Sequence, residues 1–131
     1  MSYQPQFQSI NPYFVVEDVF ASAAYYRDVF GFTFDQFWLE PPQFVIVMRD
    51  GIQIMLHQPG EGGAEVRPNR NVIPYAYDAY IYVRDEDSLY SEFTERGANT
   101  LGEPELMPHA CREFRVQDLN GYVLCFGQLV P

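Results

Sequence analysis

The order strand, helix, strand, strand, strand is predicted twice along this chain, and the repeat limits the possible folds more than any other feature. In the first copy, residues 10–17 are rich in β-forming side chains, and apolar residues spaced along one helical face predict a helix over 19–30. Asp18 can cap this helix and Gly31 can end it. Three strand-like segments follow, near residues 32–39, 43–49 and 52–58.

The second copy has the same order. Residues 78–84 are strand-like, and a helix over about 86–96 follows, with Asp85 or Asp87 as its cap and Gly97 as its end. Three more strand-like segments lie near residues 98–104, 111–117 and 122–128. The chain therefore consists of two predicted modules of the type βαβββ.

Matching residues support this register. Val16-Glu17-Asp18 corresponds to Val83-Arg84-Asp85 at an offset of 67, and Asp50-Gly51 corresponds to Asn120-Gly121 at an offset of 70. At the second offset, Phe44 would correspond to Phe114. We expect one domain, 1–131, with modules at about 9–58 and 77–128. Residues 59–76 are rich in Gly, Pro and polar side chains, which predicts a long linker or flap.

Charge and composition exclude several classes of partner. Asp and Glu total 18 against 8 Lys and Arg, a net charge of −10, and no basic cluster predicts nucleic-acid binding. No apolar run reaches the roughly 20 residues of a membrane span, and the N-terminus lacks the features of a secretory signal. We therefore expect a cytoplasmic protein. Cys111 and Cys125 are too few for a disulfide framework and are expected to be free and buried.

Two segments carry a resemblance to a known family. The segment PYFVVEDVFASAAYYRDVFGF resembles the first strand and helix of the vicinal-oxygen-chelate superfamily, which includes glyoxalases, bleomycin-resistance proteins and dioxygenases, and EFRVQDLNGYVLCFGQ resembles its closing hairpin. The resemblance implies an α+β fold whose βαβββ modules form a curved, partly open mixed sheet with the helices outside. It also implies that modules pair around a cavity, within one chain or across a dimer.

Metal-dependent members of that superfamily place ligands at four positions, and the resemblance carries these onto Asn11, Met55, Asp78 and Cys125. Together these side chains mix hard and soft donors and include one carboxylate and no imidazole. A divalent ion needs several ligands that agree in hardness and geometry. We therefore expect no metal, no other cofactor and no catalytic residue at this location.

Strand alternation predicts which side chains line a cavity, because every second residue shares a face. The candidate ligand-binding residues are aromatic or weakly polar: Tyr13, Trp38, Met55, His57, Asp78, Tyr80 and Tyr82. For each tyrosine, filling a core or a dimer interface is an equal alternative. We interpret His109 as a structural or surface residue, and Arg112, Glu113 and Arg115 as ordinary cross-strand neighbours.

These observations favour a metal-free small-molecule-binding protein, similar to bleomycin-resistance proteins, that sequesters a planar or cationic compound such as an antibiotic. The aromatic content, with 10 Tyr and 11 Phe, also predicts a homodimer. Two alternatives stay open. One is an enzyme of the same superfamily (lyase, dioxygenase or transferase) that uses His57, Asp78 and Tyr80, and the other is a non-catalytic interaction module. The identity of the ligand and the role of the linker are not fixed by these patterns.

Overall fold

The computed structural model describes residues 4–60, 63 and 65–131, so residues 61, 62 and 64 of the predicted linker lie outside the described part. The first module contains one helix and four strands, in the predicted order. They are β1 (Tyr13–Val15), α1 (Val19–Phe30), β2 (Phe37–Trp38), β3 (Phe44–Arg49) and β4 (Ile52–His57).

The second module follows a short 3-10 helix at Asn69–Asn71 in the linker. Its elements are β5 (Ala79–Tyr82), α2 (Glu86–Glu95), β6 (Asn99–Thr100), β7 (Glu105–Met107), β8 (Cys111–Gln117) and β9 (Val123–Leu129). The predicted strand over 98–104 contains only β6. The additional strand β7 forms a hairpin with β8, which the sequence analysis did not predict.

Both modules have the same strand topology. The strand order is β1-β4-β3-β2 in one sheet and β5-β9-β8-β6 in the other, with β7 also paired to β8. The first strand of each module runs parallel to the last, and the remaining pairs are antiparallel. The α+β class with repeated βαβββ modules is therefore confirmed, as two mixed sheets that do not close. No helix in the described ranges has the length and apolar character needed to cross a membrane.

The helices begin and end where the capping residues predict. The Asp18 carboxylate accepts hydrogen bonds from the backbone N–H groups of Phe20 and Ala21, at 3.0 and 3.1 Å, and so satisfies donors that the first turn leaves free. Gly31 ends α1 with a φ of 74°, a conformation that favours glycine. Asp85, one of the two predicted caps of α2, accepts from Ser88 N–H.

The helix-facing side chains of both modules share one hydrophobic core. Phe30 of α1 lies against Phe93 of α2 with ring centroids 5.3 Å apart. Phe14 of β1 stacks on Tyr122, just before β9, with centroids 4.3 Å apart and rings nearly parallel. The modules therefore pack through their helix sides, and the opposite faces of the sheets point away from this core.

Each helix also contacts the closing hairpin of the other module. The Tyr26 hydroxyl of α1 donates to Asp118 Oδ2 at 2.7 Å, at the start of the β8–β9 turn. Reciprocally, Arg49 at the end of β3 donates two hydrogen bonds to the Glu92 carboxylate of α2, at 2.8 and 2.9 Å. The two modules therefore repeat not only their order of elements but also this contact between a helix and the hairpin of the other module.

The two closing hairpins differ by one residue. Val45 pairs with Leu56 in the first hairpin, and Phe114 pairs with Phe126 in the second. The counterpart of Phe114 is therefore Val45, and the sequence-based match to Phe44 is wrong. The physical reason is the length of the turn. Two residues separate the paired residues Arg49 and Ile52, whereas three separate Asp118 and Tyr122, which are joined by a backbone hydrogen bond.

Candidate functional site

The predicted ligand-binding residues lie on the outer faces of the two sheets, meaning the face of each sheet that points away from its module's helix. On β1, Phe14 is buried in the core whereas its neighbour Tyr13 is 53% exposed. On β4, Ile54 and Leu56 are buried, and Met55 and His57 between and after them are partly exposed. The alternation of the strands therefore separates core residues from candidate site residues.

Four of the seven predicted residues form a first aromatic patch on the outer face of the first sheet. Tyr13 pairs with Met55, and its hydroxyl shares a hydrogen bond with His57 Nδ1. Phe44, which was not among the predicted residues, lies close to both, with its ring centroid 6.2 Å from Tyr13 and 5.6 Å from His57. Trp38 pairs with Phe44 at the sheet edge and is 49% exposed. We define the first aromatic patch as Tyr13, Trp38, Phe44, Met55 and His57.

The other three predicted residues lie on the second module. Tyr80 contacts both Tyr77 and Tyr82, with ring centroids 5.4 and 5.0 Å apart, and these three tyrosines form a second aromatic patch. Tyr82 is 67% exposed. A cleft of about 640 Å³ lies beside this patch, between the starts of β1 and β4 and the length of β5. Asp78, Tyr80 and Tyr82 line the cleft, but the members of the first aromatic patch do not.

Asp78 has a structural role that the sequence did not show. Its Oδ1 accepts a hydrogen bond from Asn69 N–H at 2.8 Å, and its Oδ2 accepts one from Val123 N–H at 2.9 Å. The carboxylate thus joins the linker to the start of β9. It lines the cleft, but both of its oxygens already accept hydrogen bonds from the backbone.

The four positions that would hold a metal do not suit one. Asp78 is occupied by the two backbone donors, and Met55 offers only a soft thioether. Burial, followed by the nearby Glu113 carboxylate, raises the pKa of the Cys125 thiol to about 12, which disfavours the thiolate form that a metal needs. Asn11 adds one amide. Because a divalent ion needs several matched and deprotonated ligands, these residues do not fit the group.

The outer face of the second module contains a polar cluster that the sequence analysis missed. The hydroxyl of Tyr80 donates to Glu113 Oε2 at 2.8 Å and lies 2.8 Å from Cys111 Sγ. Nε2 of His109 is 3.7 Å from Glu113 Oε2. Cys111 and Glu113 are buried, and burial raises the pKa of Tyr80 well above its ordinary value, assisted by the hydrogen bonds with Cys111 and Glu113. We define the polar cluster as Tyr80, His109, Cys111 and Glu113.

Gly127 makes this arrangement possible. A Cβ at this position would overlap the Tyr80 hydroxyl and approach Cys111 Sγ to 2.8 Å. In the first module the corresponding residue is His57, and Phe44 corresponds to Glu113 because each pairs with that position. The same place in the repeat is therefore aromatic in the first module and polar in the second.

A signal for the polar cluster was present in the sequence. His109, Cys111 and Glu113 occur at every second residue, beginning just before the predicted strand over 111–117. Period-2 spacing places three potential ligands on one strand face. Taken singly, these residues were given ordinary roles, with His109 interpreted as a structural or surface residue.

Comparisons with known proteins agree with this architecture. The family model of the glyoxalase/bleomycin resistance protein/dioxygenase superfamily matches residues 7–126. No curated protein gives a sequence match.

Several solved structures share the fold over nearly the whole chain. A superfamily member from Sphaerobacter thermophilus DSM 20745 is 25% identical, with a TM-score of 0.71, and the alignment covers 90% of this chain and 94% of that one. TioX from Micromonospora sp. ML1 is 17% identical, with a TM-score of 0.72 and coverage of 95% and 100%. A glyoxalase-related enzyme from Clostridium phytofermentans is 12% identical, with a TM-score of 0.76 and coverage of 98% and 100%. With the family match spanning both modules, the chain belongs to the glyoxalase/bleomycin resistance protein/dioxygenase superfamily.

Proposed function

We propose that this protein binds a planar, cationic small molecule, such as an antibiotic, without a metal at the superfamily's ligand positions. The observation that carries the proposal is the pair of aromatic patches, which leave rings exposed on sheet faces. Exposed aromatic faces attract flat cations through stacking and through the ring quadrupole. The net charge of −10 favours the approach of a cation over that of an anion.

The first aromatic patch is the better candidate for the primary contact. Tyr13 and Trp38 are each about half exposed, so their rings are accessible, and the Tyr13 ring packs against Phe44 and His57. Met55 adds a flexible and polarizable side chain that can adapt to a ligand. A flat ligand on this patch would lose water on one face only.

A homodimer would cover the second face of such a ligand. Isolated, the chain leaves Tyr13, Trp38 and Tyr82 exposed on sheet surfaces, which is typical of surfaces that bind a partner or ligand. We propose that the first aromatic patch of one copy faces the second aromatic patch of another. The ligand would then be held between rings from both copies.

The binding proposal can be tested through Trp38, because it is the only tryptophan in the sequence and belongs to the patch. A planar acridinium dye should change the Trp38 fluorescence and bind more tightly than an anionic dye of similar size. Replacing Tyr13→Ala should weaken binding of the cation by about 1–2 kcal/mol, through lost stacking and cation–π attraction. The matched control is Tyr75→Ala, since Tyr75 is 75% exposed in the linker and belongs to neither patch.

Equal binding of cation and anion would contradict the charge argument. A Tyr75→Ala variant that weakens binding as much as Tyr13→Ala would place the contact outside the patch. Replacing Asp78→Asn is a poorer test, because it also disturbs the hydrogen bonds that hold the linker to β9.

An enzyme is the second candidate, and the hydrogen bond between Tyr13 and His57 favours it. An imidazole held by a phenol can move a proton to or from a bound compound. The bound compound can be recovered after prolonged incubation and examined by mass spectrometry. Unchanged compound favours the binding protein, whereas a product that disappears in His57→Gln favours the enzyme.

A further inference from the structure

The polar cluster of the second module brings three kinds of metal ligand to one point. One imidazole nitrogen of His109, Cys111 Sγ and one carboxylate oxygen of Glu113 all lie within 4.8 Å of one another. Ligand atoms around a tetrahedral Zn²⁺ are roughly 3.3–3.8 Å apart, as follows from bond lengths of about 2.0–2.3 Å. The distance of 3.7 Å between His109 Nε2 and Glu113 Oε2 already falls in this interval.

The local backbone explains this convergence. Cys111 and Glu113 are alternate residues of β8 and so share the outer face of the sheet. His109 lies in the turn between β7 and β8, where Ala110 adopts a φ of 60°. This turn brings the imidazole over the strand, toward the carboxylate four residues later.

The chemistry of the ligands suits Zn²⁺ more than a hard cation. A thiolate and an imidazole are preferred by zinc, whereas Mg²⁺ and Ca²⁺ require oxygen ligands. A Cys111 thiolate and a Glu113 carboxylate would together balance the double charge of the ion, with a neutral His109. Since both anionic ligands are buried, this neutralisation removes the cost of an uncompensated charge inside the protein.

We infer that His109, Cys111 and Glu113 form a Zn²⁺ site on the outer face of the second module. Three protein ligands leave the fourth corner of the tetrahedron for a water or a ligand atom, on the side where His109 is 56% exposed. Tyr80, through its hydrogen bond to Glu113 Oε2, orients the carboxylate. The three residues differ from the four positions that metal-dependent relatives use.

The test uses the full chain, treated with a chelator and kept reduced with a phosphine, and Co²⁺ as a spectroscopic substitute for Zn²⁺. Titration should saturate at one Co²⁺ per chain and produce the near-ultraviolet absorption of a thiolate–Co²⁺ bond together with the visible bands of a tetrahedral ion. Added Zn²⁺ should displace Co²⁺ and abolish both signals. Mg²⁺ at the same concentration should leave them unchanged.

Substitutions of single residues test which side chains bind the metal ion. Cys111→Ser should abolish the thiolate band, and His109→Ala should weaken Co²⁺ binding at least tenfold. The matched controls are Cys125→Ser and His57→Gln, which change the other thiol and the other imidazole and should retain one Co²⁺ with the same spectrum. Circular dichroism of each variant reports whether it is folded. If Cys111→Ser fails to fold, His109→Ala decides, because its side chain is more than half exposed.

The site would be overturned by the absence of Co²⁺ uptake by the folded wild type, by a spectrum without a thiolate band, or by a thiolate band that persists in Cys111→Ser. Loss of the band in Cys125→Ser alone would also overturn it, since that result would point to the position that metal-dependent relatives use. None of these measurements depends on the binding of an aromatic cation, so the two proposals fail independently.

Discussion

Among single residues, Asp118 has an unfavourable environment for its charge. It is 5% exposed, and its Oδ1 accepts hydrogen bonds from the backbone N–H groups of Asn120 and Tyr122, at 2.8 and 2.9 Å. Tyr26 donates to the other oxygen. Burial outweighs these three donors and raises the pKa of Asp118 to about 6.

This raised pKa predicts a dependence of stability on pH. A carboxyl group whose pKa is higher in the folded state binds its proton more tightly there, so protonation favours folding. The contribution of Asp118 to the free energy of unfolding should therefore be largest below its unfolded value near 3.8 and be lost as the pH rises through about 6. Urea unfolding of the wild type and of Asp118→Asn between pH 4 and pH 7 measures this contribution.

The Asp118→Asn variant is a close control. Its amide oxygen can still accept from the two backbone N–H groups, and the Tyr26 hydroxyl can accept from the new amide. The wild type should lose stability relative to this variant as the pH rises. A difference between the two that is constant with pH, or a wild type that gains stability relative to the variant as the pH rises, would contradict the prediction.

At the scale of elements, each closing hairpin is held by the helix of the other module. Arg49 is central to one of these contacts, because it donates to the Glu92 carboxylate of α2 and to the carbonyl of Phe30 at the end of α1, at 2.8 Å. One side chain thus joins β3 to both helices. The two charged groups are each about 30% exposed, which shields the pair partly from water.

Replacing Arg49→Met should lower the free energy of unfolding by about 1–3 kcal/mol, because charge-assisted hydrogen bonds to two elements are lost. Thermal or urea unfolding measures the effect. The control is Asp28→Asn in the exposed pair Arg27–Asp28, which joins neighbouring residues and should leave stability unchanged. Equal losses of stability in the two variants would show that the partly buried ion pair contributes no more to stability than the exposed one.

The sequence predicted the elements best where local chemistry determines them. Asp18 and Gly31 define α1 to the residue, because a cap and a left-handed stop act within one turn. The strand β7 escaped prediction because three residues carry too little pattern. The one-residue shift of β8 escaped because the length of a turn depends on tertiary contacts, here those of Asp118, and not on the turn residues alone.

The sequence predicted which face of each strand the candidate site residues occupy, but not which of these residues lie close together. Alternation separated Tyr13 from Phe14 and Met55 from Ile54, because the period of a strand is local. Whether the two modules bring their outer faces together depends on how they pack. Packing through the helix sides divides the predicted residues into a first aromatic patch and a group beside the cleft. The polar cluster was not predicted because none of its residues indicates a site alone, and only their common position on one strand face does.

For the whole molecule, the exposed aromatic patches predict self-association. Sedimentation at micromolar concentrations should give a species of about twice the chain mass of 15.2 kDa. Replacing Trp38→Lys should shift the protein toward the monomer, because a charge on the patch must lose its water in an interface. The matched control is Tyr75→Lys, an exposed aromatic outside both patches, which should leave the dimer intact. A wild type that sediments as a monomer would contradict the proposed pairing of patches.

The reciprocal contacts between helices and hairpins have a consequence for how the chain acquires its structure. Tyr26 and Asp118 are separated by 92 residues, and Tyr122 donates to the carbonyl of Val15 across 107. During synthesis, α1 is therefore complete long before the hairpin that it packs against exists. Contacts between residues distant in sequence slow folding. We therefore expect the N-terminal module to remain incompletely packed until the β8–β9 hairpin has been synthesised. Truncation before residue 118 should accordingly destabilise the N-terminal module as well as remove the C-terminal one.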